Sequence, residues 1–205
     1  MAHNQYQLLK QRRFLPFFLT QSLGAFNDNV FRNAMLALMV YQMGLSTEQS
    51  TLYANLAPAL FILPYFLFSA TAGQIAEKYE KAKLIRVTTA MEIAIMSLAA
   101  FGFIYGLPWL LLFCLFLTGV QSTLFGPVKY AILPQVLAPE ELTGGNGLVE
   151  MGTSISILIG MIAGLISFVP YLGAIVGVAM GVIAALVQYQ DAFHVAMVLL
   201  VFASG

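Results

Sequence analysis

The stretch QSLGAFNDNVFR, residues 21–32, lies inside a long apolar segment, 14–41, that reads as a membrane-spanning helix. Gln21, Asn27, Asp28, Asn29 and Arg32 sit where the hydrocarbon of a bilayer should be. A charge at that depth is costly, so it faces a bundle interior or a wet cavity and has a partner. Asp28 and Arg32 are four residues apart, on one helix face, where a carboxylate and a guanidinium can pair. Gln21, seven residues before Asp28, extends the same stripe. A polar stripe on a lipid-embedded helix suggests a lined pathway for a polar solute.

The rest of the chain agrees with a membrane solvent. It has 205 residues, 60% hydrophobic and only 9% charged, against about 25% charged in soluble domains. That length suits roughly six or seven spans of about 20 residues each. The formal net charge is zero, with Lys and Arg balancing Asp and Glu, so no basic field for nucleic acid exists. The single cysteine, Cys114, lies in an apolar run and cannot form an internal disulfide. The basic start at Lys10, Arg12 and Arg13 leads directly into a span too long for a signal-peptide core, so the first span is expected to be retained.

The sequence divides into spans at about 14–41, 51–75, 84–105, 109–136, 146–168 and 170–186, followed by a short apolar tail at 192–204. The second contains Pro58 and Pro64, and the fourth is expected to be interrupted at Gly126-Pro127 and again at Pro134. Lys10, Arg12 and Arg13 precede the first span, and Lys78, Lys81, Lys83 and Arg86 cluster between the second and third. The bias of bases toward the inner side then places the N-terminus, residues 1–13, in the cytoplasm.

Three further polar positions fall in spans. Glu92 follows Thr88 and Thr89 by about one turn; it could receive a proton or pair with a cation, or be a neutral hydrogen-bonded acid. Lys129 and Tyr130 follow Gly126-Pro127, where freed backbone groups can line a cavity; the ammonium could bind an anionic headgroup or snorkel to the interface. Glu150, between Asn146 and Thr153, makes a second polar stripe, equally readable as interhelical hydrogen bonding. Asp28, Glu92 and Glu150 against Arg32 and Lys129 are expected to form one buried network. Catalytic motifs are not expected: His3 and His194 are in the two tails, no Gly-x-Ser-x-Gly or metal-ligand cluster occurs, and no Lys-Ser/Thr follows Gly144-Gly145-Asn146-Gly147.

The connector around Gly73, Glu77, Lys78, Lys81 and Lys83 resembles the Gly-x-Leu-Ala-Asp-Arg-x-Gly-Arg-Arg signature between the second and third spans of major facilitator transporters. Glu80 stands where that pattern has its second glycine. The resemblance implies a cytoplasmic gate latch. The segments QSLGAFNDNVFRNA, FGPVKYAILPQ and NGLVEMGTSISILIG look like the lysophospholipid transporter branch of that superfamily, over about 14–164. The resemblance implies an all-α polytopic bundle like the N-terminal half of such a transporter. It further implies movement of lysophospholipids, such as lysophosphatidylethanolamine, across a bacterial inner membrane by alternating access. Asp28, Lys129 and Glu150 become pathway residues, a sodium or proton gradient the driving force, and an acyltransferase a partner. No organic cofactor or metal is implied.

Residues 166–205 resemble a different family, permeases of the autoinducer-exporter type. A join between two membrane genes near 161–166, natural or an artefact of assembly, would account for this, with 14–165 as the major-facilitator-like part. Activity would then need self-association or a second half. Two rival readings follow, a small-molecule exporter and a non-transporting scaffold for acyltransferases.

Overall fold

A computed structural model of the chain describes residues 5–41 and 43–166. They form helices joined by short turns, with no strand among the described residues. The order is a 3-10 turn at Gln5–Lys10, α1 (Leu15–Tyr41), α2 (Thr47–Lys78), α3 (Lys81–Ile104), α4 (Pro108–Ala131), the single turn α5 (Leu133–Val136), a 3-10 turn at Pro139–Glu141, and α6 (Leu142–Ile166). A bilayer forces this economy, because backbone groups in hydrocarbon must be satisfied within the segment. Among the described residues, four stretches are long and apolar enough to cross a membrane: Thr47–Lys78, Lys81–Ile104, Pro108–Ala131 and Pro139–Ala163. With 27 residues α1 is as long, but the polar run 21–32 dilutes its apolarity. The sixth span, 170–186, and the tail from 167 on lie outside the described residues.

Two compact units emerge, one from residues 1–34 and 136–205, the other from 35–135. In the second, α4 packs along both α2 and α3. A methyl group at Gly119 would collide with the Phe61 carbonyl and lie 3.1 Å from Pro64 Cγ, so α4 approaches α2 backbone to backbone. Tyr53 and Trp109 meet edge to face, centroids 5.2 Å apart. Gly102 on α3 instead receives the Leu111 side chain of α4, whose Cδ2 would lie 2.9 Å from an added methyl.

Turn chemistry places several helix ends. Gly106 has φ +61°; its amide bonds Phe103 O at 3.3 Å, and the Leu107 amide bonds Gly102 O at 2.9 Å. That pair of bonds is the Schellman closure, which needs the left-handed glycine. Pro108 then opens α4 at a position that needs no amide. α2 begins at Thr47 rather than near residue 51, because Ser46 and Gln49 form a reciprocal capping box: the Gln49 amide donates to Ser46 Oγ, and the Ser46 amide to Gln49 Oε1, both at 3.2 Å.

The expected interruption at Gly126-Pro127 is corrected. α4 continues through Pro127 to Ala131, and Pro134 falls in the separate turn α5. A proline removes one intrahelical bond, and a membrane helix carries such a loss when neighbours re-satisfy the freed carbonyl. The connector between α2 and α3 is only Tyr79 and Glu80, with φ −109° and −63°. Both are extended, so the turn is tight without the glycine that Glu80 replaces.

In the first unit, the chain entering α1 is clamped to the turn before α6. Arg13 Nη2 donates to both Glu141 oxygens at 2.8 and 2.6 Å, Nη1 to Val136 O at 2.9 Å, and Nε to Gln11 Oε1 at 2.7 Å. Glu141 Oε2 also accepts the Ala138 amide at 2.9 Å. Beneath this fork Leu8 and Phe14 are buried. One guanidinium nitrogen thus serves both carboxylate oxygens while the other two hold Val136 and Gln11, and these extra partners fix the pair better than an ordinary surface contact, although Arg13 remains 45% exposed. Reversing either charge alone (Arg13→Glu or Glu141→Arg) should lower the melting temperature, and the double swap should restore the part that is due to the charge pair, though not the bonds to Val136 O and the Ala138 amide. Thermal unfolding of the detergent-solubilised chain measures this, and additive losses in the double swap would exclude the pairing.

Candidate functional site

The polar run of α1 is organised by α6, which runs parallel to it in constant register. Phe14 stands opposite Gly145, Gln21 opposite Gly152, and Asn29 opposite Gly160. The steps are seven and eight residues on both helices, two turns each, so one seam is kept over roughly 22 Å. A methyl at Gly152 would collide with Ser22 Oγ and reach Gln21 Nε2 at 2.9 Å; one at Gly160 would meet Asn29 Cβ at 2.8 Å and Phe26 O at 3.0 Å. Ser156, between the two glycines, is also buried. Small residues at this spacing let membrane helices approach closely enough to share hydrogen bonds.

Gln21 uses that approach. It is 3% exposed. Its Nε2 donates to Ser22 Oγ at 2.7 Å and to the Val149 carbonyl at 3.3 Å. Thr153 Oγ1 lies 3.0 Å from both Gln21 Oε1 and Val149 O, its single proton shared between them. Asn29, buried as well, donates from Nδ2 to Ala25 O at 2.7 Å and accepts Arg32 Nη2 on Oδ1 at 2.6 Å. Asp28 and Arg32 are half-buried on the flank that carries Gln21, where their four-residue spacing on an unbroken helix keeps them on one face. Asn27 is turned about 160° from Asn29 and stands off the seam. Glu150 is exposed on α6, one position from the buried Val149.

The remaining polar positions belong to the second unit. Thr88 on α3 is buried, and its carbonyl accepts Gln121 Nε2 of α4 at 3.3 Å; Ser122 Oγ donates to Gln121 Oε1 at 3.3 Å. Glu92 is half-buried one turn beyond Thr88. Lys129 is half-buried near the end of α4, its ammonium 4.8 Å from the ring centroid of exposed Tyr130, a cation–π distance. At the α2–α3 connector Glu77, Lys78 and Lys83 are exposed, and Lys81 Nζ reaches the Glu77 carbonyl at 3.5 Å. Gly73, on α2, has open space where a side chain would start.

Asp28, Arg32 and Glu150 thus lie in one unit, Glu92 and Lys129 in the other. Gln121 and Thr123 were not singled out from sequence, although each is a polar residue in an otherwise apolar helix, whereas Thr153 belongs to the stripe read around Glu150. Thr118 and Thr123 satisfy their hydroxyls on Cys114 O and Gly119 O, one turn back.

The family model described as Major Facilitator Superfamily matches residues 17–204. The chain belongs to this superfamily. Among curated relatives, the "Lysophospholipid transporter LplT" of Serratia proteamaculans is 31% identical over 156 residues, 76% of this chain and 36% of the relative. The proteins of that name from Cronobacter sakazakii and Yersinia enterocolitica are 30% and 29% identical over 170 residues, 83% of this chain and 40% and 39% of theirs. The chain therefore spans about two fifths of the length of the curated relatives it matches. No solved structure matches it. Superfamily membership and the apolar helices make this a multi-pass membrane protein.

The seam makes a specific demand on side-chain size. Gly160→Leu should force α1 and α6 apart and cost about 2 kcal/mol. Thr153→Val should cost about 1 kcal/mol by stripping Gln21 of a partner in the bilayer, whereas Thr153→Ser should restore it. Circular-dichroism melting in detergent reads all three; a Gly160→Leu variant as stable as the parent would rule out the close approach.

Proposed function

We propose that the chain takes part in moving lysophospholipids, such as lysophosphatidylethanolamine, across a bacterial inner membrane by alternating access of a major facilitator fold. The observation that carries this reading is the buried polar line of α1, Gln21 through Arg32, held in register against the small-residue face of α6. A lysophospholipid has a charged headgroup and one acyl chain. A helix that presents amide, carboxylate and guanidinium groups between apolar turns suits such a molecule. Identity near 30% to several proteins named lysophospholipid transporters supports the substrate class.

In this reading Asp28, Arg32 and Asn29 meet the headgroup, Gln21 fixes the helix that carries them, and Glu150, Glu92, Lys129 and Tyr130 contribute further polarity along the route. Gly73, Glu77, Lys78, Lys81 and Lys83 form the gate connector. The bases before α1 and between α2 and α3 favour a cytoplasmic N-terminus. Asp28 couples transport to a proton or sodium gradient, and an acyltransferase consumes the delivered lipid.

Spheroplasts lacking their own lysophospholipid uptake, expressing the chain and supplied with labelled lysophosphatidylethanolamine, test the proposal. Uptake should exceed the empty-vector level, fall about tenfold or more in Asp28→Asn at equal membrane abundance, and drop on collapse of the coupling gradient. Uptake at the vector level, or an Asp28→Asn variant as active as the parent, refutes it.

A further inference from the structure

The exposed face of α3 is arranged as a phospholipid-shaped strip. Val87, Ala90, Ile93, Ala94, Leu98 and Phe101 are all exposed, and at 100° per residue they spread over an arc of about 140° whose other exposed side chain in this stretch is the small Ser97. Thr88, Ile95, Ala99 and Gly102 on the other side are buried, so the apolar arc is the outward face. The same arc continues toward the start of α3 into two exposed cations, Lys83 and Arg86. Among the described residues neither is in an ion pair. Arg86 Nε donates to the Ala82 carbonyl at 3.3 Å, which draws the guanidinium toward the start of the helix and leaves its terminal nitrogens for an external acceptor.

The dimensions fit one leaflet. From Arg86 to Leu98 the helix rises roughly 18 Å, slightly more than half of a hydrocarbon core about 30 Å thick. A lipid phosphate at Lys83 and Arg86 would therefore lay its acyl chains along Val87, Ile93 and Leu98. Exposed Tyr79, just before α3, and exposed Tyr130, beside Lys129 at the end of α4, are amphipathic rings of the kind that settle at headgroup depth. Lys78, Lys81, Lys83, Arg86 and Lys129 make up five of the nine bases in the chain and set the local charge against acidic headgroups.

We propose that this strip is a binding site for an anionic two-chain phospholipid of the surrounding membrane, its phosphate held by Lys83 and Arg86. The site is separate from the polar line of α1 and does not depend on the transport reading.

Native mass spectrometry of the full chain, released from micelles doped with phosphatidylglycerol or with phosphatidylcholine, tests it by binding rather than by uptake. The parent chain should retain phosphatidylglycerol preferentially, and the preference should weaken as salt is raised. Each cation lost from Lys83→Gln/Arg86→Gln should lower the preference about fivefold. Lys83→Arg/Arg86→Lys, which keeps the charges, should keep it, and guards against misfolding of the first variant. Lys10→Gln/Arg12→Gln, which removes exposed bases elsewhere, should also keep it. No preference in the parent, an undiminished preference in the double glutamine variant, or an equal loss in the Lys10/Arg12 control each overturns the proposal.

Discussion

The structure depends on how closely two helical backbones can approach in a solvent that gives helices no hydrophobic reason to associate. Lipid tails are as apolar as leucine, so packing and shared hydrogen bonds decide which helices meet. Here that decision falls at a few small residues. Gly152 and Gly160 let α6 lie against α1, Gly145 makes room for Leu137, and Gly119 lets α4 lie against the Phe61–Pro64 turn of α2. Once the backbones are that near, a glutamine on one helix reaches a carbonyl on the next, as Gln21 reaches Val149 and Gln121 reaches Thr88.

This closeness explains how α1 carries so many polar groups. An amide buried without a partner costs roughly 1–3 kcal/mol on protein-based scales, and of the four amide side chains of α1 between residues 21 and 33 two, Gln21 and Asn29, are buried. Gln21 is satisfied across the seam by Thr153 and within its own helix by Ser22. Asn29 is satisfied by its own preceding turn and by Arg32. The seam-facing amide thus fixes packing, while the Asn29–Arg32 contact keeps a cation at membrane depth beside Asp28. One helix therefore carries both the amides that fix its packing and a half-buried carboxylate and guanidinium.

Much of this was legible in the sequence, because hydropathy and charge placement are local signals. The apolar segments, the Gly106-Pro108 turn and the basic connector follow from residue types alone. The start of α2 was misplaced because the Ser46–Gln49 capping box is a signal of side-chain chemistry, not of hydropathy. The break expected at Pro127 failed because a proline reads as a helix stop in water, where no neighbouring helix re-satisfies the backbone. Gln121 passed unremarked since a lone amide in an apolar run has no period of its own, and Thr153 was read with Glu150 rather than as the partner of Gln21. Only the register of the facing helix shows what it meets. Asp28 and Arg32 on one face were foreseen; Asn29 as the acceptor for Arg32 was not, although its three-residue spacing allows it.

The charges fall into two classes with different physics. Those of α1 are half-buried and take partners within the helix or across its seam. Those around the α2–α3 turn are exposed, and part of their placement opposes local stability. Lys78 closes α2 at the negative end of its dipole and is favourable there, whereas Lys81 and Lys83 occupy the first turn of α3, where the dipole disfavours a cation by about 0.3–1 kcal/mol each. Glu80, immediately before that turn, offsets part of the cost, but its side chain makes no capping bond. The backbone of the turn needs no special residue, since Tyr79 and Glu80 are both in ordinary extended geometry, and Lys81 Nζ reaches back across it to the Glu77 carbonyl at 3.5 Å. Lys78 lies 5.7 Å from the centroid of the Tyr79 ring, a cation–π distance that ties one of these cations to the turn itself.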